Sequence, residues 1–233
     1  MPEELALAIR RAFHEPARMA LRHGLRERKF VTAQMNRFDP LLEEALFAFQ
    51  DPRVVRAVAA ITGSDALEPD AELYAGGISV MGRGYCLSPN FDNSHDRERR
   101  RYRALNLLYY VSPVWKAENG GKLELWPDGA RGTPLPLYSL FNRLVVMMNT
   151  RSSWHSVSTV AVDELRCCVS NYYFSERSPE GAEYFHPISF RGGAGEPLRD
   201  FVLRADSMLR MAVRHVAKRG LARTWHYYRK DDA

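Results

Sequence analysis

The sequence predicts a mainly β domain with flanking helices, and three observations support this fold class. From Glu72 to Phe174 the chain alternates short β-rich runs with turn residues. Before this region, apolar residues recur at helical spacing, and after it a further helix is predicted from about Pro197. Many short strands separated by turn signals are typical of a sandwich or barrel rather than of a parallel α/β sheet. We therefore expect a β-sandwich or β-barrel core with helices packed outside it.

Three helices are predicted within about the first 70 residues. The first has apolar residues at i, i+3, i+4, i+7 and i+8 counted from Leu5, which is the spacing of one helix face. The second follows Pro40. The third has the clearest bounds, because Asp51 is a favoured N-cap, Pro52 suits the first helical position and Gly63 suits the end. We expect these helices to pack on the domain that follows.

The β-rich region contains five runs that are bounded by glycine, proline, asparagine or aspartate. They span residues 76–81, 104–111, 122–126, 139–148 and 165–174. The turn at Gly120-Gly121 is interpreted as structural and not as a phosphate-binding loop. The predicted organisation is a single domain with three parts, namely a helical segment (1–71), a β core (72–190) and a basic helical tail (191–233).

Composition limits the class of protein. A chain of 233 residues with 45% hydrophobic residues can bury a substantial core. Its three cysteines, Cys86, Cys167 and Cys168, are too few for a disulfide scaffold, and the adjacent pair would point to opposite faces of a strand. The N-terminus lacks a basic start followed by an apolar run, and no apolar stretch is long enough to span a bilayer. We expect a cytoplasmic protein with reduced thiols, no membrane span and no nucleic-acid partner.

Two distant stretches together suggest a metal site. Asp92 lies in a loop just after a predicted strand, and His155 begins another strand 63 positions later. A carboxylate and an imidazole are two of the three ligands in the 2-His-1-carboxylate arrangement that binds Fe(II) and leaves open positions. Arg166 follows His155 by eleven residues, an interval that suits a hairpin return. We expect its guanidinium deep in the barrel, where it can hold a carboxylate with two parallel hydrogen bonds.

The same stretches belong to an ordered set of about ninety positions. The set comprises Asp92-Asn93, residues 108–111, Trp115, residues 118–123, residues 141–145, residues 154–157, Arg166 and residues 172–174. In this order the run from Gly84 to Phe174 resembles the iron(II)- and 2-oxoglutarate-dependent dioxygenases of the prolyl-4-hydroxylase-like group. The resemblance implies a double-stranded β-helix (jelly-roll) core, flanked by the N-terminal helices and a C-terminal helix.

The resemblance also implies a chemistry. Asp92 and His155 would bind Fe(II), and Arg166 would pair with the far carboxylate of 2-oxoglutarate with support from the Tyr110 hydroxyl. Family members couple the oxidative decarboxylation of 2-oxoglutarate, which yields succinate and carbon dioxide, to attack on a substrate C–H bond. Ascorbate is the additive expected for assays in vitro. Hydroxylation is the default outcome.

One position departs from the family pattern. The family has His-x-Asp, whereas this chain has Asn90-Phe91-Asp92. An asparagine oxygen is a neutral and weaker donor to Fe(II) than imidazole, so Asn90 is predicted to be a weak or absent ligand. Three alternatives follow. Asn90 occupies the first ligand position, His95 swings in as a substitute, or the site no longer holds iron.

The substrate is predicted to be a small molecule, because little of the chain lies outside the core and its flanking helices. The alternatives are hydroxylation of a protein side chain and a non-catalytic relative that acts as a binding module. His95, Arg97 and Trp154 are candidates for the substrate entrance. The tail from 199 to 230 carries nine Lys/Arg against two Asp, and we expect its helix to pack the apolar side on the core and expose the basic side. The oligomeric state is not predicted.

Overall fold

The fold was obtained as a computed structural model, which describes residues 1–13, 16–193, 195–216 and 226–229. The described residues form two antiparallel sheets, with a cavity between them and four α-helices beside them. The helices are α1 (Glu3–Ala12), α2 (Pro40–Phe47), α3 (Pro52–Thr62) and α4 (Pro197–Val216). The strands of the larger sheet are β1 (Ala20–His23), β2 (Arg28–Thr32), β3 (Glu68–Pro69), β4 (Gly77–Met81), β6 (Tyr102–Tyr110), β9 (Arg143–Met148) and β11 (Arg166–Ser175). The strands of the smaller sheet are β5 (Leu87–Phe91), β7 (Leu123–Leu125), β8 (Leu135–Leu137), β10 (His155–Val157) and β12 (Ser189–Phe190).

The strand order confirms the predicted jelly roll. The larger sheet runs β1-β2-β4-β11-β6-β9, with β3 added beside β11, and the smaller sheet runs β12-β5-β10-β7-β8. The eight strands from β4 to β11 therefore divide equally between the sheets, and the chain crosses repeatedly from one to the other. Residues at the ends of strands in both sheets are thereby brought to one shared space.

The pleat of β6 and β11 separates an outer face from an inner one. Tyr109 and Cys167 point outward into the apolar cluster under the helices. Cys168 points inward and lines the cavity. The expectation that the two adjacent cysteines face opposite sides is confirmed, and all three cysteines of the chain are free thiols.

The first three helices cover the outer face of the larger sheet, as predicted. Of the predicted apolar face, Ile9, Ala12 and Phe13 are buried, whereas Leu5 is exposed and Ala6 is buried in addition. The bounds of α3 are as predicted. The Asp51 carboxylate accepts a hydrogen bond from the Arg53 N–H at 2.8 Å, and Gly63 ends the helix with φ +65°.

The prediction that residues 1–71 are helical is wrong for residues 20–32. There β1 and β2 form a hairpin that extends the larger sheet beyond β4. The hairpin also reaches the smaller sheet, through a bridge between Glu27 and Leu87. The sequence of β2, Arg-Lys-Phe-Val-Thr, contains residues that favour strands. Its pairing with β4 is a tertiary contact that a helical interpretation of the segment misses.

The predicted orientation of the C-terminal helix is also wrong. Phe201 and Val216 are 71% and 92% exposed, so the apolar side of α4 faces solvent. The opposite side is tied to the core by Asp200, whose carboxylate accepts hydrogen bonds from Arg191 at 2.6 Å and Arg131 at 2.7 Å. These buried charge-assisted bonds set the rotation of the helix. The rest of the predicted basic tail, 217–225 and 230–233, lies outside the described residues.

Among the described residues, no helix combines the length and apolar character that crossing a membrane requires.

Candidate active site

A cavity between the two sheets brings together four of the predicted site residues. Asn90, Asp92, His155 and Arg166 all line it. The cavity has an internal volume of about 120 Å³ and opens to solvent at its mouth. Arg166 is at one end, called here the deep end. Asn90, Asp92 and His155 form the other group, called here the ligand end.

Arg166 is the first residue of β11 and is only 4% exposed. Its Nε donates hydrogen bonds to the Gly121 carbonyl at 2.7 Å and to the Ser139 hydroxyl at 3.1 Å. The predicted hairpin between His155 and Arg166 is wrong, because β10 and β11 lie in different sheets. The connection crosses between the sheets instead, and this crossing lets both residues face one cavity.

Two features require glycine at position 121, namely its backbone conformation and the nearby Arg166 side chain. Its φ is +60°, which L side chains rarely adopt, and a Cβ there would lie 2.7 Å from the Arg166 Cδ. The Gly-Gly turn therefore has a role beyond the structural one that the sequence analysis gave it. The turn also supplies the carbonyl that fixes the arginine.

Tyr110 lies against the same guanidinium. The Cζ of Arg166 is 4.8 Å from the centre of the Tyr110 ring. Among the described residues the buried Tyr110 hydroxyl has no hydrogen bond within 3.5 Å, although Ser139 and Arg166 lie near enough to oppose the rise in its pKa. Burial raises the pKa of Tyr110 to about 12, so the hydroxyl remains a neutral donor at physiological pH.

The deep end is suited to an anion. The side-chain contacts of Arg166 are a carbonyl, a hydroxyl and, at 3.6 Å, the Met81 sulfur, none of which carries a charge. A buried charge is costly unless it is paired. A ligand carboxylate would pair with the guanidinium and accept a hydrogen bond from the Tyr110 hydroxyl.

His155 is held in a defined orientation at the start of β10. Its Nδ1 is 3.1 Å from the Ser153 carbonyl, which assigns the ring proton to Nδ1. The Nε2 lone pair is then available. A main-chain carbonyl that accepts a hydrogen bond from the other ring nitrogen, and so fixes the tautomer, is usual for histidines that bind metals.

Asp92 follows β5, and one of its oxygens is already engaged. Asn106 Nδ2 donates to Asp92 Oδ2 at 3.3 Å, and Arg103 Nη1 is 3.9 Å from the same oxygen. The sequence analysis missed Arg103 and Asn106, since a charged or amide residue inside a β-run has no signal of its own.

Asn90 is the register partner of His155 across β5 and β10. Its Nδ2 donates to the carbonyls of Ser88 and His155, each at 3.0 Å. Two acceptor carbonyls identify the nitrogen of the amide, so Oδ1 is the atom left for another ligand. The donor set is therefore one carboxylate, one imidazole and one neutral carboxamide oxygen. The part of the chain that the structure describes has no group of three His, Cys, Asp or Glu that could hold a metal.

Comparison with known proteins identifies the β core. Residues 76–174 match the family model of the 2OG-Fe(II) oxygenase superfamily. The match covers less than half of the chain, and over this range the segment is similar to members of that superfamily. The matched range spans the deep end, the ligand end and the strands β4 to β11 of the oxygenase core, apart from the last residue of β11. No curated protein is similar enough in sequence to count as a relative of the whole chain.

Solved structures support the same fold. The chain is similar to a Pseudomonas putida prolyl-4-hydroxylase with a TM-score of 0.53 and 16% identity, covering 75% of this chain and 88% of that one. It is also similar to HygX from Streptomyces hygroscopicus, solved with nickel, 2-oxoglutarate and hygromycin B bound. There the TM-score is 0.50 and the identity 12%, covering 75% of this chain and 80% of that one. At such identities the similarity shows the oxygenase fold.

The three entrance candidates lie outside the residues that line the cavity, as far as the chain is described. The His95 ring packs 4.2 Å from the Tyr102 ring, and its Nδ1 is 2.8 Å from the Ser94 hydroxyl. Trp154 meets Phe91 edge to face at 4.4 Å. Arg97 extends over the Tyr227 ring, 5.0 Å from its centre.

The side wall of the cavity comes from segments that the sequence analysis did not assign to the site. Arg22, Glu27 and Lys29 of the β1–β2 hairpin line it, and Lys29 pairs with Glu27 at 2.8 Å. His226 lines it from the C-terminal side, and its Nε2 is 2.9 Å from the Gly76 carbonyl. Burial lowers the pKa of His226 to about 4, so this wall residue is neutral at pH 7.

Proposed function

We propose that this protein is an Fe(II)- and 2-oxoglutarate-dependent oxygenase that hydroxylates a C–H bond of a small molecule. Asp92 and His155 would hold the metal, with the Asn90 carboxamide oxygen as a weak third ligand. Arg166 and Tyr110 would hold the far carboxylate of 2-oxoglutarate.

The observation that carries the proposal is the buried Arg166 guanidinium that lines the cavity. Its hydrogen-bond partners are neutral, and the Tyr110 hydroxyl beside it has no hydrogen bond within 3.5 Å among the described residues. A dicarboxylic acid that enters from the mouth would satisfy both groups with one carboxylate. Its other end would then extend toward Asp92 and His155.

The donor set of the ligand end fits a divalent metal with fewer strong ligands than usual. His155 presents Nε2, Asp92 has one oxygen outside its contacts with Asn106 and Arg103, and Asn90 has its Oδ1 free of the two carbonyl bonds. When bound, Fe(II) with 2-oxoglutarate supplies the oxidative chemistry. The residues of this chain hold the cosubstrate, orient the ligands and exclude water from the buried end.

A small-molecule substrate is favoured by the shape of the site. The β1–β2 hairpin and residue His226 wall the cavity on the side, so the site is a pocket of limited volume. The similar structures include a prolyl-4-hydroxylase and HygX with hygromycin B bound. Hydroxylation of a protein side chain is thus the alternative substrate class for the same activity.

A second candidate function is favoured by Asn90. Its amide nitrogen bridges two main-chain carbonyls, so the residue joins β5 to β10 whether or not a metal is present. A protein that kept the acid pocket but lost iron would act as a 2-oxoglutarate-binding module.

Succinate formation distinguishes these functions. The native chain and His155→Ala are incubated with 2-oxoglutarate, Fe(II), ascorbate and oxygen, and calorimetry measures 2-oxoglutarate binding with and without metal. We expect succinate from the native chain and none from His155→Ala. Tight binding of 2-oxoglutarate without metal, together with no succinate in either protein, would favour the binding module. No binding of 2-oxoglutarate in any condition would overturn both.

A further inference from the structure

Arg103 is a fully buried cation near the ligand end of the cavity. It is 1% exposed, its Nη2 donates to the Tyr74 carbonyl at 3.3 Å, and its Cζ lies 3.9 Å above the Tyr172 ring. Its Nε has no partner among the described residues. Removing a guanidinium from water is costly, so the position calls for a compensating group.

A bulge aims this side chain into the barrel. On β11 the partner of Tyr173 is Leu105, whereas the next residue, Phe174, pairs with Arg103. Ala104 is therefore an extra residue, and the alternation of faces shifts by one at this point. Without the bulge Arg103 would face the outer apolar cluster, where Ala104 and Leu105 pack.

The compensating charges are two carboxylates. Arg103 Nη1 is 3.9 Å from Asp92 Oδ2. Asp70 is also buried, and the charge of Arg103 opposes the burial that raises the pKa of Asp70. Arg103 thus links the Tyr74 carbonyl to the metal-ligand candidate Asp92.

The recorded contacts of the Asp92 carboxylate involve the same one of its two oxygens. Both Arg103 and Asn106 approach Oδ2, from two positions of the same strand β6. Oδ1 has neither of these contacts, and Asp92 lines the cavity. The hydrogen bond from Asn106 and the ion pair with Arg103 restrict the orientation of the carboxylate, as outer partners do for a carboxylate that binds a metal.

We propose that Arg103 is a positioning residue that holds Asp92 by Oδ2, so that Oδ1 is presented to the metal. The role has particular weight in this chain, because Asn90 leaves Asp92 and His155 as the two strong ligands. The inference rests on the proposed function, since it requires a metal at the ligand end.

The test is a titration with Co(II), a spectroscopic stand-in for Fe(II), followed by visible absorption under anaerobic conditions. Arg103→Met and Asn106→Leu are compared with the native chain, with Arg103→Lys as the conservative variant. Arg101→Met is the matched control, because Arg101 pairs with Glu68 and Asp96 and not with Asp92. Thermal unfolding checks that each variant is folded.

We expect Arg103→Met to weaken Co(II) binding about 10–100-fold, the usual effect of losing an outer-shell partner. Asn106→Leu should also weaken it and change the absorption spectrum, Arg103→Lys should recover most of the affinity, and Arg101→Met should bind like the native chain. Unchanged or tighter binding in folded Arg103→Met would overturn the proposal. If that variant does not fold, Arg103→Gln takes its place, and native affinity in folded Arg103→Gln would overturn the proposal.

A native chain that binds no Co(II) would count against the proposed function, and the comparison would then be made in Asn90→His. There, equal affinity with and without Arg103→Met would overturn the positioning role alone. A weaker affinity with Arg103→Met would support it. If Asn90→His also binds no Co(II), both proposals fall.

Discussion

The deep end and the ligand end of the cavity differ in how far their side chains already have partners within the protein. At the deep end, the Arg166 guanidinium has only neutral hydrogen-bond acceptors among the described residues. The Tyr110 hydroxyl has no hydrogen bond within 3.5 Å among them. At the ligand end, Asn90 and Asp92 are already engaged with carbonyls, an amide and a buried arginine. The chain is thus prepared for an acid more completely than for a metal.

The largest expected effect is at the deep end. Arg166→Met should weaken 2-oxoglutarate binding by at least about 30-fold, because truncating one partner of a buried charge pair costs about 2–5 kcal/mol. Calorimetric titration measures it. Arg83→Met is the control, since Arg83 forms an exposed pair with Asp163, and its affinity should match the native value. Native affinity in folded Arg166→Met would mean that the acid binds elsewhere, and the contrast between the two ends of the cavity would no longer hold.

Gly121→Ala should lower the free energy of unfolding by about 2–4 kcal/mol. A left-handed φ costs an L residue roughly 1–2 kcal/mol, and overpacking against Arg166 adds about 1–3 kcal/mol. Gly129→Ala is the matched control, because Gly129 has φ +81° and a Cβ added to it would have no neighbouring atom within 4 Å. Urea denaturation should show the smaller loss for Gly129→Ala. Equal losses would mean that the contact with Arg166 is loose.

Asn90→His should tighten Co(II) binding by roughly 10–100-fold, because an imidazole replaces a neutral amide oxygen as a ligand. Asn90→Leu is the comparator, since it removes the oxygen and keeps a similar volume. A titration in which Asn90→Leu binds as tightly as the native chain would exclude Asn90 as a ligand. A loss in Asn90→Leu with a gain in Asn90→His would define a weakened but working ligand end.

The smallest expected effect is that of Tyr110→Phe, which should weaken 2-oxoglutarate binding about 2–10-fold, as for one hydrogen bond of roughly 0.5–1.5 kcal/mol. Because burial raises the pKa of Tyr110 to about 12, this contribution should stay constant from pH 7 to 9. Tyr109→Phe is the control. Its hydroxyl binds Asn142 on the outer face, so affinity should not change. An equal loss in both variants would assign the effect to folding.

Local signals predicted the elements that depend on nearest neighbours. Asp51, Pro52 and Gly63 bound α3, because caps and left-handed ends are properties of a few adjacent residues. The order of motifs from Asp92 to Arg166 predicted the jelly roll and the residues of the cavity. The β1–β2 hairpin was missed, since its strand pairing with β4 joins residues nearly fifty positions apart.

Thus the sequence by itself determined the fold class, the family-like core and the departure at Asn90, because these depend only on residue types and their order along the chain. Only the tertiary structure decided that Arg103 turns inward at a bulge, that Arg166 has neutral partners and that α4 exposes its apolar side. Each of these depends on which distant groups share a buried space. The charges and hydrogen bonds that meet there have no local signature in the chain.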